Sequence, residues 1–147
     1  MADKRQQIVD AIRSRLTGIL VANGYNTDIG LHVFEWKVRA FSELEIPGVA
    51  FRDTDPTIRE LTGGMQDVSL PVEFIIGAAS GTSTMQVIRA AIEDVLAAIN
   101  QDWTWGGLAW DTSIDTVEAF AEHEGKLTGL AKIAATVKYE QQRPLHP

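Results

Sequence analysis

The stretch Met65-Gln66-Asp67-Val68-Ser69-Leu70-Pro71-Val72-Glu73-Phe74-Ile75-Ile76 decides how the rest of the chain is read. Val68, Leu70, Val72, Phe74 and Ile76 alternate with Asp67, Ser69, Pro71, Glu73 and Ile75. A period of two predicts a strand with one face in a core and one mostly polar face. Residues 77–81, Gly-Ala-Ala-Ser-Gly, break it. Ser83 with Gln86 three residues on fits a capping box. Met85, Ile88, Ile92, Val95, Leu96 and Ile99 then recur in steps of three and four, predicting a helix over 83–100 with one apolar stripe. Burying each such side chain is worth roughly 1.5–3 kcal/mol before the entropy of ordering it is counted. Pro71 is awkward in a central strand and predicts an edge or a bulge there.

Upstream, Ile8, Ile12, Leu16, Ile19 and Leu20 predict a helix from Asp3 to Ala22, stopped at Asn23-Gly24. Ile29, Leu31 and Val33 alternate; Phe34, Trp36, Val38 and Ala40 alternate in the opposite phase. That reads as one long kinked strand over 29–40. Residues 42–45 read as a turn and 46–51 as a short strand entered through Pro47, the two strands forming a hairpin-like unit. Residues 52–64 read as a polar loop, suited to an interface or simply to solvent.

Downstream, Trp103, Trp105 and Trp110 surround the turn Gly106-Gly107. Such aromatics close the end of a core or anchor an interface. Residues 114–120 read as a strand, 122–126 as a hairpin turn, and 127–139 as a long strand with Leu127, Gly129, Ala131, Ile133, Ala135, Val137 and Tyr139 on its buried side. Lys126, Lys132 and Lys138 share its other side, read as a solvated face. The fold class is therefore α+β, a mainly antiparallel or mixed sheet of about five strands with two helices on one face. Residues 1–140 are expected to form one domain and 141–147 an extended tail.

Composition narrows the function. The 147 residues carry a formal charge of −7, so the chain should repel nucleic acid on average rather than grip its phosphates. There is no cysteine, which removes disulfides and thiolate chemistry and points to a non-secreted protein. No signal peptide or membrane span is visible. Gly77–Thr82 lacks the lysine of a phosphate loop, no serine elbow occurs, and His32, His123 and His146 lie in a strand, a turn and the tail with no ligand spacing. No catalytic residue, cofactor or metal is expected.

The order of elements nevertheless resembles the tail terminator family of long-tailed bacteriophages, the lambda-type minor tail proteins. Four features carry the likeness: the first helix ending near Gly24; Glu45-Ile46-Pro47-Gly48-Val49-Ala50-Phe51; the strand and helix across 68–100; and Asp102-Trp103-Thr104-Trp105-Gly106-Gly107-Leu108 leading to the last strand at Val137-Lys138-Tyr139. The resemblance implies a structural virion protein and no enzyme. Copies form a ring, usually a hexamer, that caps the tail tube protein, ends tail polymerisation and offers a joining surface to the head connector or stopper. DNA passes through the lumen unbound, a sheath protein is a further partner in a contractile tail, no membrane is involved, and the protein is made in the bacterial cytoplasm. Another neck component, or a small-ligand or adaptor domain, is the alternative. The expected interface comprises residues 29–40, 52–64 and 141–147, the middle segment ordering only against a partner. Phe34, Trp36, Arg39, Arg52, Asp53, Asp55, Arg59, Glu60, Trp103, Trp105 and Arg143 are its candidate contacts.

Overall fold

A computed structural model describes residues 3–37, 41–78, 84–123 and 127–144. The described residues build two α-helices and one mixed sheet, the expected α+β fold. Helix α1 spans Lys4–Thr17 and α2 spans Thr84–Gln101. The strands are β1 (Val33–Glu35), β2 (Gly48–Asp53), β3 (Thr57–Glu60), β4 (Met65–Ala78), β5 (Asp111–His123) and β6 (Leu127–Gln142). Their order across the sheet is β1-β2-β4-β6-β5, with β3 beside β4 in line with β2. No helix among the described residues is long and apolar enough to cross a membrane.

The centre is the antiparallel ladder of β4 and β6, from Met65 opposite Gln142 to Ala78 opposite Gly129. Val68, Leu70, Val72, Phe74 and Ile76 on β4, and Ala131, Ile133, Ala135, Val137 and Tyr139 on β6, are buried. Facing them are Ile8, Ile12 and Leu16 of α1 and Ile88, Ala91, Ile92, Val95 and Ile99 of α2. The alternation of period two and the stripe of period 3.6 meet in this core. Within α1, Asp3 caps the start by accepting from the Gln6 amide at 2.8 Å.

Pro71 sits inside β4 without weakening it. Its carbonyl accepts from the Thr54 amide, so its amide side faces the same way, into the gap between the end of β2 and the start of β3. The donor that proline lacks is not needed there.

Four expectations are corrected. The long kinked strand over 29–40 is absent from the described part: Ile29–Leu31 is a 3-10 turn and only Val33–Glu35 is strand, while residues 38–40 lie outside the described residues. The alternation at 29–31 falls on a helical turn, and the phase change between Val33 and Phe34 lies within β1. Gly30 docks on the end of α1, its amide bonded to the Ile19 carbonyl at 2.9 Å. A Cβ there would lie 2.7–2.8 Å from the Leu16, Thr17 and Ile19 carbonyl oxygens. Second, β1 and β2 are parallel, not a hairpin. The intervening chain crosses over through the 3-10 turn Glu43–Glu45, with Ser42 and Glu45 forming a capping box. Third, the loop expected over 52–64 contains the end of β2 and all of β3, because β4 overhangs β2 and offers a ladder to Thr57–Glu60. Fourth, β6 carries pairing through Gln142, into the stretch expected as tail.

Gly30→Ala is therefore expected to cost about 1–3 kcal/mol, since backbone oxygens cannot move aside as a side chain can. Urea unfolding followed by circular dichroism checks it; an unchanged midpoint would mean that this close approach does not matter.

Candidate functional site: the two ends of the sheet

Five strands in width leave two different ends. At one end β1 covers part of β2, and β3 lies beside β4 with nothing on its outer side among the described residues. At the other end β5 pairs only with β6 among the described residues. Unpaired strand edges are open hydrogen-bonding templates, so both ends are places where another chain can be met.

The β1 end gathers Phe34, Trp36, Arg52 and Asp53. Trp36 follows β1 with φ 55°, a left-handed conformation uncommon for a bulky residue. It is held by its amide bond to the Phe51 carbonyl and by its indole N–H, which donates to Asp53 at 3.0 Å. Asp53 also accepts from Arg5 at 2.6 Å. Burial alone would raise the Asp53 pKa; the Trp36 and Arg5 donors outweigh it and hold the carboxyl below its usual range. Arg52 pairs with Glu73 at 2.6 Å and lies 5.9 Å from the Trp36 ring centre. Lys37 reaches both Glu45 oxygens at 3.0 Å and lies 4.7 Å from the Phe34 ring centre. The Ser42 amide, followed by Lys37, holds the Glu45 carboxyl down to about 2. Arg13, Val33, Phe34, Glu35, Trp36, Lys37 and Glu45 surround an open cleft of about 410 Å³.

The β3 side holds Arg59, Glu60 and Arg143. Arg59 meets Asp67 at 3.2 Å; Glu60 accepts from Arg143 at 2.9 Å and from Gln66 at 2.8 Å. All four residues of β3 are exposed. Asp55 stands exposed in the turn between β2 and β3. Arg39 lies outside the described residues.

Trp103, Trp105 and Trp110 do not join either group. Trp105 is buried, with φ 54°, under the Arg15 guanidinium at 4.1 Å, and its indole donates to Thr112 at 2.8 Å. That is the end-of-core role weighed for it. Trp103 and Trp110 are about half exposed. Asp102 ties the loop by accepting from the Thr104 hydroxyl, the Gly106 amide and the Thr104 amide, which bring its carboxyl down to about 2. Lys132 bonds Glu73 at 3.3 Å and Lys138 lies 5.6 Å from the Trp110 ring centre; Lys126 lies outside the described residues.

Sequence reasoning missed β5 as a surface. Its sequence contains Asp111, Asp115, Glu118 and Glu122 and no lysine or arginine. Residues 115–119 are all exposed. A register shift between Ile114 and Thr116 blunts the first part, where Asp115 accepts from Thr136 at 2.6 Å, and leaves regular pairing from Thr116 to His123. The available signal was a strand whose acids are unrelieved by any cation, the mark of a solvent-facing edge. A larger concavity, about 750 Å³, runs between the end of α1 and α2, with Arg15, Asn23, Tyr25, Asn26, Asp94 and Asn100 in its lining. Among the described residues no group of three or more His, Asp or Glu is placed to hold a metal.

These features make the chain an α+β protein with open strand edges at both ends of its sheet. Neither protein-family models nor curated protein sequences match it.

The Asp102 shift gives a pH prediction. Its folded pKa lies below the ordinary aspartate value of about 3.9, so the loop's stabilisation is complete above that value and is lost as pH falls through about 2. Tryptophan fluorescence should hold steady down to about pH 4 and change below it. In Asp102→Ala the emission at neutral pH should already resemble the acid form; a wild-type spectrum would show that the carboxylate does not order the loop.

Proposed function

We propose that this chain is a structural, ring-forming protein at the head-proximal end of a bacteriophage tail, a tail terminator. Six copies close on the tail tube protein, stop its polymerisation and offer the opposite face to the head connector. DNA passes through the lumen, and in a contractile tail the sheath protein is a neighbour. The family resemblance in element order suggests this role. The observation that carries it is a sheet with two unlike open ends, β5 at one and β1 with β3 at the other. Unlike ends meet head to tail, and head-to-tail contacts close into rings when the rotation permits.

Charge supports the reading. Six copies at −7 each carry about −42, which favours sliding of DNA over adhesion. The clusters at the sheet ends are internally paired acids and bases, suited to a packing surface and not to a reaction.

Native mass across a concentration series tests the reading. A species near 97 kDa, six times the 16.1 kDa chain, with a central hole in negative-stain images is the expected result. It should appear either alone or on addition of purified tube protein, and tubes assembled with it should be capped and shorter. A monomer that neither caps tubes nor alters their length would overturn the proposal.

A further inference from the structure

The helix layer covers β2, β4 and β6 but does not reach β3 or the middle of β5. On β6 the helix-facing side chains Ala131, Ile133, Ala135 and Val137 are at most 1% exposed. Val117 on β5 stands opposite Ile133 and so points to the same side, yet it is 44% exposed. At the far end Ile58 on β3 stands opposite Val68, which is 1% exposed; Ile58 also points to the helix side and is 49% exposed. Each outer strand thus carries an apolar residue directed at a core that does not reach it.

The other side of the sheet shows complementary charge. Glu118 on β5 stands beside Lys132, whose ammonium is taken by Glu73, and it has no ion pair among the described residues. Arg59 on β3 gives one nitrogen to Asp67 and keeps its side chain 74% exposed. β1 is a poorer edge: it is three residues long and ends at the left-handed Trp36.

We infer that β5 of one copy pairs with β3 of the next, so that one sheet runs on from subunit to subunit. This rests on the ring reading and names its contact. The strand senses agree. β3 is antiparallel to β4, β4 to β6, and β6 to β5, so β3 and β5 run in opposite directions. Rotation about a ring axis lying along the strands preserves direction, and the new pair is therefore antiparallel. Side-chain parity then fixes the faces. Ile58 stands opposite Val117 on the helix side, where the two cover each other. Arg59 stands opposite Thr116 on the outer side, one diagonal step from Glu118, about 7–8 Å between backbones and within reach of both long side chains. The occupant of each edge is a second copy of this chain, because each edge supplies what the other lacks.

Two experiments test the pairing. Arg59→Glu and Glu118→Arg should each weaken a contact about two- to fivefold, compounded around the ring, and the double variant should restore assembly. Circular dichroism shows that each variant is folded. In this cysteine-free chain, Ile58→Cys with Val117→Cys should form disulfides between copies under mild oxidation, since opposed antiparallel residues lie about 4.5–5.5 Å apart. The expected result is a reducible ladder of linked copies ending at six. Wild-type rings with unlinked cysteines, or rings untouched by either charge reversal, would overturn the pairing and leave the ring reading standing. A wild-type chain that never associates, even with tube protein, would overturn both.

Discussion

The ladder between β4 and β6 is the interaction on which the remaining structure depends. It is the longest register in the molecule, and each strand buries five alternate side chains under the two helices. Everything else is attached to its flanks. β2 and β3 share one side of β4, meeting at Pro71, and β5 takes the free side of β6. Because β4 and β6 are long, they extend beyond what β1 and β2 can cover, and that overhang calls β3 into being. The helices complete the core over the ladder and β2, and leave β3 and the middle of β5 uncovered. β3 and the middle of β5 are consequently ordered by backbone pairing but short of side-chain cover, the condition in which a sheet accepts a further strand.

That division also explains what could be read from the sequence. β4, α2 and β6 were legible because each buries one face, and burial writes its period into the residues. β3 was not legible: Thr57-Ile58-Arg59-Glu60 is exposed on both sides and carries no alternation. It is a strand only because β4 stands next to it. The 3-10 turn at Ile29–Leu31 was misread for a related reason. Its apolar spacing imitates a strand, and what selects a turn is the docking of Gly30 on the carbonyls ending α1, a tertiary contact. The parallel sense of β1 and β2 depends on how the chain crosses between them, which no local pattern records.

The candidate surface was legible in part. Trp36 and Asp53 were singled out separately, and the structure joins them through an indole hydrogen bond, with Arg5 of α1 as a third member. Glu60 and Arg143 come together on one face beside β4, while Arg59 turns to the other face and meets Asp67. Trp105 belongs to the core, where Arg15 stacks on it. β5 escaped notice because an edge is defined by what is missing beside it, and a sequence does not show its neighbours.

The central claim is that the open edges are satisfied by other copies of the chain. Amide hydrogen exchange along β5 tests it most directly, comparing the protein before and after assembly, with tube protein added if assembly requires it. The account predicts that the alternate amides facing away from β6 over residues 116–123, which exchange freely in the single copy, become protected on assembly together with the outward amides of β3. Assembly with unchanged exchange on both strands would contradict it.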